Sequence, residues 1–154
     1  MSQSSKVKKS FGEILLRRNA NLRTGSTSST NVVSTPAHTD LADASATLTV
    51  SQLKTGVLVM TPTSSSKTLT TPTAALLAAH LKNVGDSMDF SVINKGADGI
   101  SVILAAGSGV TSHGFLTVRD SSATSDPDSG SSLWRLRMTN TTASSEAAVL
   151  YRLA

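Results

Sequence analysis

The residues nearest to a nucleophilic site are Ser112-His113, with Asp120, Asp126 and Asp128 downstream as candidates to orient the imidazole. A hydroxyl, an imidazole and a carboxylate joined by hydrogen bonds would activate the serine for acyl transfer. The chain holds three histidines among abundant serines, so one adjacent Ser-His pair is expected by chance. His113 is read as a surface residue in a turn ended by Gly114. Gly107-Ser-Gly109 has the composition of a fragment of a phosphate-binding loop, whose backbone N–H groups would receive an anion. It falls between two strand-like stretches with no helix start behind it, so it is read as a turn.

Asp126-Pro-Asp128-Ser-Gly130 spaces carboxylates as a calcium loop begins. Counted from Asp126, Ser131 stands where the sharp-turn glycine is required and Arg137 where a bidentate glutamate is required, which excludes an EF-hand. His38, His80 and His113 lack the paired spacing of zinc ligands, and the chain has no cysteine to supply a thiolate or a disulfide. His80 lies at helical spacing from Leu76, Leu77 and Leu81 and reads as a boundary residue of that helix. No catalytic residue, metal or cofactor is expected, and the protein is not expected to be an enzyme.

Charge is distributed unevenly. Lys6, Lys8, Lys9, Arg17, Arg18 and Arg23 face the single Glu13 within the first 24 residues, a surplus of five, so the rest of the chain carries −1 of the overall +4. The high isoelectric point therefore belongs to an arm. Ser10-Phe-Gly-Glu13 matches a capping box, and a short helix near 11–22 would set Phe11, Ile14 and Leu15 on one face. Cations on an extended arm with apolar anchors suit docking on an acidic protein surface, with weak contact to nucleic acid as a second use. Phe11 is the one aromatic among these cations, which argues against a platform for stacked bases.

These features need a scaffold. Aromatic residues make up 3% of the 154-residue chain and charged residues 16%, while Thr and Val recur, a profile of sheet rather than helical bundle. Residues 1–45 read as a Ser/Thr-rich arm and 46–154 as one β domain. Strands are predicted at Thr47–Val50, Val57–Thr61, Lys67–Leu69, Ser87–Asn94, Ile100–Ala105, Val110–Ser112, Phe115–Arg119, Leu133–Asn140 and Ala147–Leu153. One helix is predicted over 73–82, capped by Thr71, with Pro72 in its first position and Gly85 beyond its end. The last strand is apolar on both sides, with Val149, Tyr151 and Leu153 against Leu150, which predicts a central strand or a contact between subunits. Ile14-Leu15-Leu16 runs directly into Arg17 and Arg18 and does not read as a secretory signal, and no stretch approaches the roughly 20 apolar residues of a membrane span.

Several strings carry a resemblance. "LKTGVLVMTP", "KTLTTPTAALLAAHLKNVGDSMDFSVINKG", "SVILAAGSGVTSHG", "SLWRLRMTNTT" and "AAVLYRLA" follow one another in the order of a β-rich C-terminal domain. That domain occurs in small virion and fibre-like proteins of large DNA viruses and phages, and Ala46 to Ala154 resembles it. Thr71-Pro72-Thr73 stands where that pattern has Leu-Pro-Thr. The resemblance implies a jelly-roll-like two-sheet sandwich, trimeric in the manner of tumour-necrosis-factor-like domains. It implies a minor virion structural protein that assembles with itself and with other capsid proteins, made in the host cytoplasm and carried in the virion. The alternative it leaves open is a receptor- or glycan-binding head of a fibre or spike.

Overall fold

The wholly apolar run Val57–Met60 and the alternating run Ser87–Asn94 both form strands in the computed structural model, which describes residues 38–120 and 130–154. The order is β1 (Thr39–Leu41), β2 (Ala46–Thr47), α1 (Val50–Leu53), β3 (Val57–Met60), β4 (Lys67–Thr70), α2 (Ala74–Ala78), β5 (Ser87–Asn94), β6 (Val102–Ala105), β7 (Val110–His113), β8 (Thr117–Val118), β9 (Ser131–Asn140) and β10 (Ala147–Arg152). Six strands form one sheet in the order β1-β3-β5-β9-β10-β7, and four form a second in the order β2-β4-β6-β8. One core lies between them. Leu58, Phe90, Val92, Trp134, Leu136 and Leu150 enter it from the first sheet, and Leu69, Val102, Leu104 and Val118 from the second. The all-β, two-sheet class expected from the sequence is therefore the observed one.

The connectivity differs from a jelly roll. Jelly rolls pair strands antiparallel, whereas among the described residues five of the eight strand pairings are parallel. From β1 to β6 the chain changes sheet at every step, so β1, β3 and β5 lie side by side in parallel, as do β2, β4 and β6. Parallel neighbours cannot be joined by a tight hairpin and need crossovers. Three crossovers stack at one end of the sandwich: α1 between β2 and β3, α2 between β4 and β5, and the Gly107-Ser-Gly109 turn between β6 and β7. β9 then pairs antiparallel with β5 and β10 antiparallel with β9, and β7 completes the larger sheet in parallel beside β10.

Side chains bind the stacked turns at the opposite end. Asp43, between β1 and β2, accepts bonds from the Thr63 hydroxyl (2.6 Å) and Thr63 N–H (3.2 Å), and it pairs with Lys67 (3.4 Å). Ser66 Oγ accepts from Ser101 N–H, which ties the β3–β4 turn to the β5–β6 turn. Asn94 is fully buried: its amide donates to Ile100 O (2.9 Å) and Val118 O (3.0 Å), while its Oδ1 accepts from Gly96 N–H. One side chain thus joins the end of β5 to its own turn and to the facing sheet.

Several expectations are corrected. β1 pairs with β3 although it precedes Ala46, the expected start of the domain, because Thr39–Leu41 continues the parallel stack. The predicted strand Thr47–Val50 is split, since Thr49 caps α1: its Oγ1 accepts from Gln52 N–H and Gln52 Oε1 accepts from Thr49 N–H. Helix α2 is shorter than 73–82 and its cap is Thr73, not Thr71. Thr71 is buried and holds the neighbouring crossover, accepting from Gly107 N–H at 2.9 Å. The helix stops early because the chain must descend to β5, through a turn in which Asn83 N–H donates to Asp86 and Gly85 takes a φ of 95°.

Candidate functional site

Ser112 and His113 are neighbours on β7, and successive strand residues point to opposite faces, so their side chains diverge. His113 stacks on Tyr151 (ring centroids 5.7 Å apart, 23° between planes), and Asp120, after a strand of the other sheet, accepts from Gly99 N–H. The three do not form a relay. Gly107-Ser-Gly109 is the third crossover: a Cβ at Gly107 would collide with the backbone oxygens of Thr71 and Pro72, and Gly109 has a φ of 75°. These glycines serve backbone approach and turning. Asp126 and Asp128 lie outside the described residues, among which no cluster of three metal-ligating side chains occurs.

The arm residues Lys6, Lys8, Lys9, Phe11, Ile14, Leu15, Arg17, Arg18 and Arg23, with the expected helix near 11–22, also lie outside the described residues. The four residues of the last strand divide by face. Leu150 is fully buried in the core of its own chain and is withdrawn as a subunit contact. β10 is central, between β9 and β7, which accounts for its apolar character on the inner side. Val149, Tyr151 and Leu153 point the other way, onto the outer face of the six-stranded sheet.

That outer face is the most extensive functional candidate. The register places Val57, Ser91, Leu133 and Leu153 in one row and Val59, Ile93 and Ser131 in the next. Leu133 is 37% exposed and Leu153 47%, while Val57, Val59 and Ile93 are half-buried. A third row runs Asp89, Arg135, Tyr151, His113 across four strands. Arg135 donates two bonds of 2.7 Å to the two Asp89 oxygens. That bonding holds the Asp89 carboxyl below its usual pKa and raises that of the guanidinium. The face therefore has an apolar stripe bordered by a neutralised ion pair and a stacked aromatic pair. Sequence reasoning found its β10 members and missed Val57, Val59, Ile93 and Leu133. Their alternation with buried neighbours marks them as outward only once pairing order is known.

The second sheet offers a contrast, since its outer row Thr68, Ile103, Thr117 is mostly hydroxyl-bearing. Among the described residues no helix is long and apolar enough to cross a membrane. No protein-family model matches the chain, and neither a curated protein nor a solved structure does.

Proposed function

We propose that the protein is a minor structural component of a virion, in which the β domain associates with copies of itself and the basic arm docks on neighbouring capsid proteins. The observation that carries this reading is the apolar stripe on the outer face of the six-stranded sheet. Val57, Val59, Ile93, Leu133 and Leu153 occupy adjacent register rows on a face over which the described residues lay no further layer. A sheet normally presents polar residues on such a face, and contiguous exposed apolar area marks an interaction surface.

A closed homotrimer is the assembly proposed, following the resemblance of Ala46–Ala154 to virion domains. A jelly-roll relationship is carried only as far as two facing sheets. Lys6, Lys8, Lys9, Arg17, Arg18 and Arg23 supply the charge of the arm, and Phe11, Ile14 and Leu15 its apolar anchors. The role requires no cofactor and no catalysis, and contact of the arm with nucleic acid is secondary. The test is removal of Met1–Thr30. The truncated protein is expected to keep its folded, associated β domain and to lose incorporation into particles, whereas normal incorporation would refute the docking role of the arm.

A further inference from the structure

A second surface lies at the crossover end, away from the apolar stripe. Helices α1 and α2 are stacked crossovers, and between them runs a groove of about 480 Å³. Leu48 and Val50 form its floor, and Leu76, Ala79 and His80 its far wall. Leu76 is 57% exposed, in a helix whose other large apolar residue, Leu77, is fully buried. The five residues of α2 suffice to close the sandwich through Ala74 and Leu77, so Leu76 contributes nothing to the core.

The rim of the groove is cationic. Lys54 Nζ lies 3.0 Å from His80 Nδ1. An ammonium only donates, so Nδ1 accepts and the neutral ring carries its proton on Nε2. Two kinds of donor therefore stand at one edge of the groove, the remaining Lys54 N–H groups and His80 Nε2–H. Among the described residues Lys54 makes no ion pair with a carboxylate. Neither helix places an acid in its first turn.

We propose that this groove docks a segment of a partner protein that presents one large apolar side chain beside a carboxylate, the apolar group covering Leu76 and the acid meeting Lys54 and His80. An acid next to the apolar anchor neutralises a cation that has no acidic partner within the described fold. A basic segment would meet like charge at the same place, and charge complementarity of this kind selects the partner more than it raises affinity.

The test uses the full chain and two acetylated, amidated hexapeptides of equal apolar content, Ser-Asp-Phe-Leu-Glu-Ser and Ser-Lys-Phe-Leu-Lys-Ser, titrated by NMR. The acidic peptide is expected to shift resonances of Leu48, Val50, Leu76 and His80 and to bind roughly fivefold more tightly than the basic one, as one exposed ion pair allows. Leu76→Asp should abolish the shifts, and Lys54→Glu should reverse the preference between the peptides. Equal binding of both peptides, shifts centred elsewhere, or no shifts up to about 5 mM peptide, the range of the weakest specific contacts, would overturn the proposal. A change in solution mass caused by Leu76→Asp would also overturn it, because the occupant would then be a second copy.

Discussion

Leu150→Ala is expected to destabilise the fold severely while leaving association between copies unchanged. Leu150 is fully buried on a central strand, its register partners are Leu136 on β9 and Ser112 on β7, and both flanking strands are held by backbone bonds. The surrounding sheet cannot close over the space left, so a cost near 3 kcal/mol is expected, within the 2–5 kcal/mol range for buried Leu to Ala. In a domain of this size that lowers the midpoint of thermal unfolding by roughly 10 °C. Calorimetry and urea unfolding measure the loss, and light scattering measures the mass of the folded protein. Thr139→Ala, an exposed position on the outer face of the same sheet, should shift stability by less than about 0.5 kcal/mol. A Leu150→Ala protein as stable as the parent, or one that folds normally and changes mass, would refute the assignment of faces on β10.

Gly107→Ala is expected to cost about 1–3 kcal/mol in chemical denaturation, because the new methyl meets the backbone oxygens of Thr71 and Pro72, which have little room to yield. Asn94→Ala should cost more than about 2 kcal/mol by the same assay, since it leaves Ile100 O, Val118 O and Gly96 N–H without the partner that now satisfies them. Acid should weaken the fold. Hydrogen bonds from the Thr63 hydroxyl, and then Lys67, hold the Asp43 carboxyl below the usual carboxylate pKa, and Arg135 does the same for Asp89. A depressed folded pKa contributes stability above the unfolded pKa that is lost as pH falls through the folded one. The loss should begin near pH 4 and be smaller in Asp43→Asn and Asp89→Asn proteins, as urea midpoints measured from pH 6 to pH 2.5 would show.

Local pattern carried much of the fold. The predicted bounds of β5 are the observed ones, and those of β3, β4, β7, β9 and β10 agree within a residue or two: alternation marks β5 and β9, and short apolar or β-branched runs between turn residues mark the others. What alternation does not report is which strand lies beside which. Parallel and antiparallel neighbours place the same residues inward, so an antiparallel sandwich and the observed sheet-switching stack give the same pattern in the chain. The crossovers hold the missing information. Thr49-Val-Ser-Gln52 is a capping box legible in the sequence, and a helix there, between two predicted strands, would have pointed to a parallel connection. Thr39–Leu41 was missed because three residues among Ser, Thr and Ala carry no period, and their strand exists only by pairing with β3.

The candidate surface was legible in part for the same reason. Val149, Tyr151 and Leu153 stand out in the sequence because β10 is apolar on both sides, and Leu150 stands out with them because the pattern of such a strand does not distinguish its core side from its exposed side. Val57, Val59, Ile93 and Leu133 lie on three separate stretches of the chain that only the register of β3, β5 and β9 brings together. The groove between α1 and α2 is hidden in the sequence because Leu48 and Val50 fall within the predicted strand Thr47–Val50 and no helix is expected after it.

The mass of the full-length protein in solution tests the central claim most directly, measured by light scattering or sedimentation across a range of concentrations, with Leu133→Asp alongside. A discrete oligomer, a trimer in the assembly proposed, is expected for the parent chain. Leu133→Asp, which places a carboxylate in the middle of the apolar stripe, should give a folded monomer. A parent chain that remains monomeric at high concentration, or an oligomer indifferent to Leu133→Asp, would contradict association through the outer face of the six-stranded sheet.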